Sequence, residues 1–376
     1  MVAMDPEGQS GQSAAAQEFR CSQCAGEMHW DPGAGAMRCQ YCSHVVAVSE
    51  TEGNASVVEY DLEHGLAMAR NRGYGTPVRT TVCKECGATI SFGDNVTATR
   101  CDFCDSAQVM EQEADRNVLR PESLVPFHVD KKVAGEKFSS WIHGLWFRPN
   151  DLKHRAEVEE MNGVYVPYWT FDAQVDSDWT AQAGYHYYDT ETYTERDAQG
   201  NTVTRTRQVQ RTRWVWSSGR RNDLYDDVLI CASRGLPHEL ADRLTTFDTA
   251  RLVPYEPNYL AGWKAEEYAV ELNDAWKTAV GRIESSQRSR CSRDVPGDTQ
   301  RFLSVHNQFS SETFKHVLLP IWIASYRYHE KVYRFLVNGQ TGEVTGKAPW
   351  SWIKIILFST VVVGLIVAAI IFFQSR

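Results

Sequence analysis

Eight of the ten cysteines fall into two copies of one pattern: Cys21, Cys24, Cys39 and Cys42 recur as Cys83, Cys86, Cys101 and Cys104, every member displaced by 62 residues. Four matched offsets mark an internal duplication. A Cys-x-x-Cys knuckle offers two thiolates from one tight turn, and the 14 residues between knuckles leave room for a single hairpin. Four thiolates match the tetrahedral preference of Zn2+ in a structural site. The spacing therefore predicts two small four-cysteine zinc-ribbon modules, residues 19–48 and 79–110, each with one structural zinc ion. Cysteine fills all four positions of each set, which leaves no open coordination site for catalysis. The copies also share Arg38 and Arg100, Tyr41 and Phe103, and a glycine near the first pair, Gly26 and Gly87. His44 is matched by Ser106 and reads as a surface residue, while Cys231 and Cys291 match no pair and read as a core thiol and a loop thiol.

The first twenty residues lack the basic start and apolar run of a secretory signal, so the cysteines are expected to be reduced, which favours metal over disulfides. Residues 1–18, rich in Gly, Gln, Ser and Ala, read as a disordered tail. At the other end, residues 355–373 run uncharged for 19 residues, about 28 Å of helix, close to the hydrocarbon thickness of a bilayer. Trp350 and Trp352 precede it, as suits a membrane interface, and Lys347 and Lys354 lie on its near side. The expectation is a single-pass, tail-anchored protein of the cytoplasmic membrane with its N-terminal portion in the cytoplasm.

Between these features, residues 49–78 read as a linker with a short helix around Leu62, Leu66 and Ala69 that ends at Gly73, and residues 111–121 as a charged connector. Residues 122–346 are rich in Trp, Tyr and Phe and mix strand-like runs (Gly163–Phe171) with helix-like ones (Gly262–Ala279), predicting an aromatic-rich α+β domain. Residues 347–354 form the juxtamembrane segment. Two hairpins stand out. A Thr/Tyr-rich run ending near Glu195 turns at residues 197–201 into an alternating strand from Thr202, and Tyr326–Tyr328 turns back into Tyr333–Val337, followed by the turn NGQTG, where Gly339 and Gly342 suit positive φ.

Charge excludes some partners. Residues 1–117 hold 8 Lys and Arg against 17 Asp and Glu, which accounts for the whole formal net charge of −9; the remainder has 31 of each sign. An acidic region is the wrong sign for phosphate neutralisation. Arg205, Arg207, Arg211 and Arg213 share one strand face, but Asp189, Glu191 and Glu195 on the facing strand supply cross-strand partners. Enzyme motifs are broken. His238-Glu239 has Asp242 where a second zinc-binding histidine would stand, and the Gly346-Lys347 run is one residue short of a P-loop and ends in Ala348.

The N-terminal Cys-x-x-Cys pairs, SLVPFHVDKK, GVYVPYWTFDA, YLAGWKAEEYAVEL and the ending LPIWIASYRYHEKVYRFLVNGQTGEVTGKAPWSW before an apolar helix resemble bacterial membrane-anchored proteins with TFIIB-type zinc ribbons. Members are often labelled primosomal protein N′ or superfamily II helicase-like. With no P-loop here, helicase activity does not carry over. The resemblance implies a non-enzymatic membrane component, in some relatives encoded beside flotillin-like (SPFH-domain) or phage-shock-type membrane proteins, which are candidate protein partners. Together with the closed cysteine sets, it makes a scaffold or adaptor recruiting proteins to the cytoplasmic membrane face the leading expectation. The alternative is a membrane-tethered nucleic-acid-binding protein, and a third reading is an enzyme with an unfamiliar site in the aromatic domain.

Overall fold

The computed structural model describes residues 19–48, 57–68, 79–92, 101, 103, 106, 109–113, 121–152, 157–196, 200–244, 246–329 and 331–374. The expected tail 1–18, the helix stop at Gly73 and the tip 197–199 of the first hairpin lie outside them. In the first cysteine module, β1 (Met28–Asp31) and β2 (Ala36–Cys39) form an antiparallel hairpin and β3 (Val45–Val46) adds to β2. Then come β4 (Tyr60–Asp61) and the short helix α1 (Leu62–Met68). In the second module, β5 (Arg79–Cys83) lies between β6 (Thr89–Phe92) and β7 (Val109–Glu113).

After the short strand β8 (Ser123–Leu124), α2 (Lys131–Gly144) is launched by Asp130, whose carboxylate accepts the Val133 amide at 2.7 Å. Ala134, Phe138 and Ile142 recur every fourth residue and form its buried stripe. Most of the body is sheet. Its frame is β9 (Glu157–Arg196), β10 (Thr202–Cys231) and, after the short strands β11 (Val253–Pro254) and β12 (Lys264–Glu266), β13 (Thr299–Tyr328). All three far exceed the usual 3–10 residues. Bulges interrupt their register at 225/228, 301/304 and 310/313. At each of these sites the extra residue is left-handed: Asp227 (φ 50°), Phe302 (φ 57°) and Ser311 (φ 53°).

Side chains alternate along β9 as a strand requires. Val164, Val166 and Tyr168 face one core, with Val317, Leu319, Leu236 and the second cysteine module. Tyr165, Trp169, Phe171, Ala173 and Val175 face the opposite side, covered first by α2 and then by a long helix. The short helix α3 (His238–Ala241) precedes that helix, α4 (Leu272–Asp294), which buries Leu272, Ala275, Ala279, Ile283, Gln287 and Cys291 in one stripe at three- and four-residue spacing. Cys291 is therefore a core residue and not a loop thiol. The helix-like reading of Gly262–Ala279 also needs correction: only the part from Leu272 is α-helical. Residues Lys264–Glu266 form a strand because β12 bridges β6 and β9, and those tertiary ladder bonds override local propensity.

The two predicted hairpins are present. Arg205 pairs with Glu195 at 2.6 Å, Arg207 with Glu191 at 3.1 Å, and Arg211 with Asp189 at 3.2 Å, so cross-strand carboxylates occupy three of the four arginines of that face. At the second hairpin β14 (Lys331–Asn338) returns along β13, and β15 (Val344–Gly346) closes the meander. Gly342 has φ +77°, as predicted. Gly339 does not; it is glycine for space, because a Cβ there would meet the Phe127 ring at 2.6 Å and the Pro320 Cβ at 2.8 Å. Five residues, 347–351, separate β15 from α5 (Trp352–Gln374). Within its segment Trp352–Phe373 an 18-residue window has mean hydropathy 3.0 and no buried residue, which makes the helix long and apolar enough to cross a membrane.

Candidate metal centres

One turn is built repeatedly. The amide of the first cysteine in each knuckle donates to the carbonyl five residues on: Cys21 to Gly26 (2.8 Å), Cys39 to His44 (2.9 Å), Cys83 to Ala88 (2.9 Å) and Cys101 to Ser106 (2.9 Å). The residue just after the second cysteine bonds back to the first cysteine's carbonyl at Ala25, Ser43 and Gly87, and all three are left-handed, with φ of 56°, 58° and 76°. This is why a glycine stands at 87. Gly26 is one place further along its knuckle and serves a different need, since a Cβ there would lie 2.4 Å from the Tyr41 ring.

The turns converge the sulfurs. Cys21, Cys24, Cys39 and Cys42 bring their Sγ atoms within 4.8 Å of one another, with Cys21–Cys42 at 3.5 Å and Cys24–Cys39 at 3.4 Å. Cys83, Cys86 and Cys101 do the same, with Cys86–Cys101 at 3.6 Å; Cys104, the expected fourth member, lies outside the described residues. These separations far exceed a sulfur–sulfur bond of about 2.05 Å. They sit around the roughly 3.8 Å edge of a tetrahedron with 2.3 Å metal–sulfur bonds. Each cluster could hold a metal ion.

Electrostatics in the first cluster favour a cation. The Cys42 amide, joined by the Tyr41 amide and the adjacent thiols, holds the Cys39 thiol down at about 6. At Cys42 the His44 amide pulls the same way, yet Cys24, burial and Cys21 outweigh it and raise that thiol to about 12. Four crowded thiols cannot all ionise together unless a positive ion offsets their repulsion, which a divalent metal would do.

The copies dock on the body through different residues. In the first, Trp30 of β1 is buried, donates its indole N–H to the Phe127 carbonyl at 3.0 Å and meets Tyr259 edge-on at 4.8 Å; its backbone carbonyl accepts the Trp263 indole at 3.1 Å. Tyr41 of the same module is 74% exposed. In the second, Phe103, the residue matching Tyr41, is buried against Gly235, where a Cβ would approach the ring to 2.7 Å. There β6 also joins the main sheet through β12. Beside this junction Glu266 is 3% exposed, and burial pushes its carboxyl up to about 8, against the pull of the Ser233 hydroxyl and the Gly235 amide. Neither Trp30 nor Glu266 was legible as a site residue, because the contacts of each span long stretches of chain.

Two other polar places stand out among the described residues. Asp172, Asp226 and Asp227 come together on the sheet. Lys315 already supplies the cation there, 2.7 Å from Asp227 and 3.0 Å from Glu59; burial would lower its pKa, but these carboxylates outweigh it and raise the value. A cavity of about 190 Å³ is lined by Tyr168, Cys231, Asp242 and Arg282, with Arg282 and Asp242 paired to each other. Cys231 is buried there, as a core thiol should be.

No protein family matches this chain, and no solved structure does. The chain is similar to the uncharacterized protein YdjG of Bacillus subtilis (strain 168), being 27% identical to it over 250 residues that cover 65% of this chain and 69% of that protein.

Proposed function

We propose that this chain is a zinc-bearing, membrane-anchored scaffold whose two four-cysteine modules, docked on an aromatic sheet body, recruit a protein partner to the cytoplasmic face of the membrane that holds α5. The carrying observation is the conjunction of convergent thiols in the N-terminal third of the chain with an apolar helix near its other end that has no buried residue in its spanning window. The cysteine sets serve as structural zinc sites: Cys21, Cys39, Cys83 and Cys101 are buried and Cys86 half-buried, with Cys24 and Cys42 on the exposed side of the first set, where backbone amides face the sulfurs of Cys21, Cys39 and Cys42. The acid excess of residues 1–117 suits a basic protein surface better than a phosphate backbone. On the hairpin, Arg205, Arg207 and Arg211 are paired to carboxylates, which weakens the nucleic-acid alternative.

The test is affinity purification of the tagged full chain from detergent-solubilised membranes, with metal analysis of the same sample. The proposal expects close to two zinc ions per chain and a stoichiometric protein partner, with flotillin-like or phage-shock-type proteins as the first to look for. Recovery of nucleic acid in place of protein, lost steeply with added salt, would overturn it in favour of the tethering alternative.

A further inference from the structure

The loop that follows α2, Leu145–Pro149, is folded onto the root of α5. The Trp146 carbonyl accepts the Lys354 ammonium at 2.9 Å, and the Phe147 carbonyl accepts the Ser351 amide at 2.9 Å just before the helix begins. The Phe147 ring meets Phe358 edge-on at 5.4 Å, and the Arg148 guanidinium lies 3.6 Å over the Trp350 ring. These contacts fix the loop's level along the helix. Phe358 lies four residues beyond Lys354, about 6 Å into the uncharged run. A loop whose side chain touches Phe358 therefore sits level with the first turn of the apolar segment and not above it.

What the loop shows to its surroundings is aromatic. Trp146 is 74% exposed and stacks beside Phe147, while Trp350 and Trp352 are exposed on the neighbouring segment. In water this would be a costly cluster. At the boundary between headgroups and acyl chains, amphipathic aromatic rings are favoured and Lys or Arg side chains reach up to the polar layer. Arg148 and Lys354 supply such cations beside the loop.

We propose that the Trp146–Phe147 loop is a second membrane contact, inserted into the headgroup–acyl boundary of the bilayer crossed by α5. The partner is the lipid surface itself, because the loop is continuous in space with the first turns of the spanning segment. The proposal rests on the reading of α5 as a transmembrane helix. Its consequence is that the body is held against the membrane in one orientation, gripped by loop and helix together, and does not swing on the short tether 347–351.

The experiment uses the full chain reconstituted into phosphatidylcholine/phosphatidylglycerol vesicles, with Trp146→p-benzoylphenylalanine as one photoreactive variant and Trp216→p-benzoylphenylalanine, at an exposed position on the long hairpin, as the control. Irradiation should give a phospholipid adduct at position 146 and none at 216. No lipid adduct at 146, or a cross-link to a second protein chain there, in protein that resists an alkaline carbonate wash overturns this inference while leaving the anchor intact. Release of the wild-type chain by the wash would instead sink the anchor reading. A second measurement avoids the bulky probe: Trp146→Phe should remove a component of fluorescence that lipids brominated near the glycerol quench, and loss of an unquenched component would refute insertion.

Discussion

Trp30 offers the sharpest test of how the first cysteine module is joined to the body. Its indole is buried, edge-on to Tyr259 at 4.8 Å and hydrogen-bonded to the Phe127 carbonyl at 3.0 Å. Trp30→Ala removes a ring whose truncation in a packed core costs about 3–5 kcal/mol. A cost of about 4 kcal/mol shifts the docked-to-undocked ratio about a thousandfold. Trp30→Phe keeps most of the apolar contact and loses only the N–H, leaving the Phe127 carbonyl without that donor, so it should cost about 1–3 kcal/mol. The thiol cluster lies at the knuckles, outside β1, so metal content should not change in either variant. The assay is limited proteolysis of the full chain in detergent, alongside urea unfolding and zinc determination. The expected order of cleavage within residues 19–48 is Ala fastest, then Phe, then wild type, all with the same zinc content. Equal cleavage rates would refute docking through Trp30, and loss of zinc in step with cleavage would refute the separation of docking from metal binding.

Three further outcomes can be checked. Cys86→Ser should cost one of two zinc ions and loosen the second module alone, read by metal analysis and by protection of the first module; loss of both ions would show that the sites are coupled. Burial pushes the Glu122 carboxyl up to about 7, against the His316 amide. That value lies above the roughly 4.3 of an exposed glutamate, so this group's stabilisation is complete below about pH 4 and is lost as pH rises through 7, by up to roughly 3 kcal/mol. Glu122→Gln should flatten the fall in stability between about pH 4 and 7, and parallel profiles would refute it. Gln287 of α4 is wholly buried and joins the Tyr225 hydroxyl (2.9 Å), the Ser177 hydroxyl (3.0 Å) and Asp223 (2.9 Å). Gln287→Leu takes the acceptor from the buried Tyr225 hydroxyl, while Asp223 keeps Arg221 and Arg290 and Ser177 keeps Asn307, and should lower stability by about 1–3 kcal/mol; an unchanged melting curve would show that water replaces the amide.

Residues 145–149 show how function can hide between segments. Read alone, LWFRP is a loop with two aromatic residues; its meaning comes from Ser351, Lys354 and Phe358, some two hundred residues later. The Lys315–Glu59 pair likewise joins residues 256 positions apart, and the Trp30–Phe127 bond spans 97. Such contacts leave no spacing signature, because nothing local fixes which distant residue will arrive.

By itself, the sequence determined the features whose physics is local. A knuckle is a five-residue turn, so Cys-x-x-Cys spacing specifies it wherever it occurs, down to the left-handed residue after the second cysteine. The apolar run of α5 is legible because its solvent is lipid on every face, and the Arg/Glu ladder because strand side chains alternate with period two. The tertiary structure alone decided what those local pieces become part of. It turned Lys264–Glu266 from apparent helix into the strand that fuses the second cysteine module to the main sheet. It also gave matching positions of the two copies opposite fates, Tyr41 left in solvent and Phe103 buried against Gly235. The physical reason is the same in both cases. Ladder hydrogen bonds and ring burial are satisfied by partners far along the chain, and these outweigh the small local preferences that a sequence window can read.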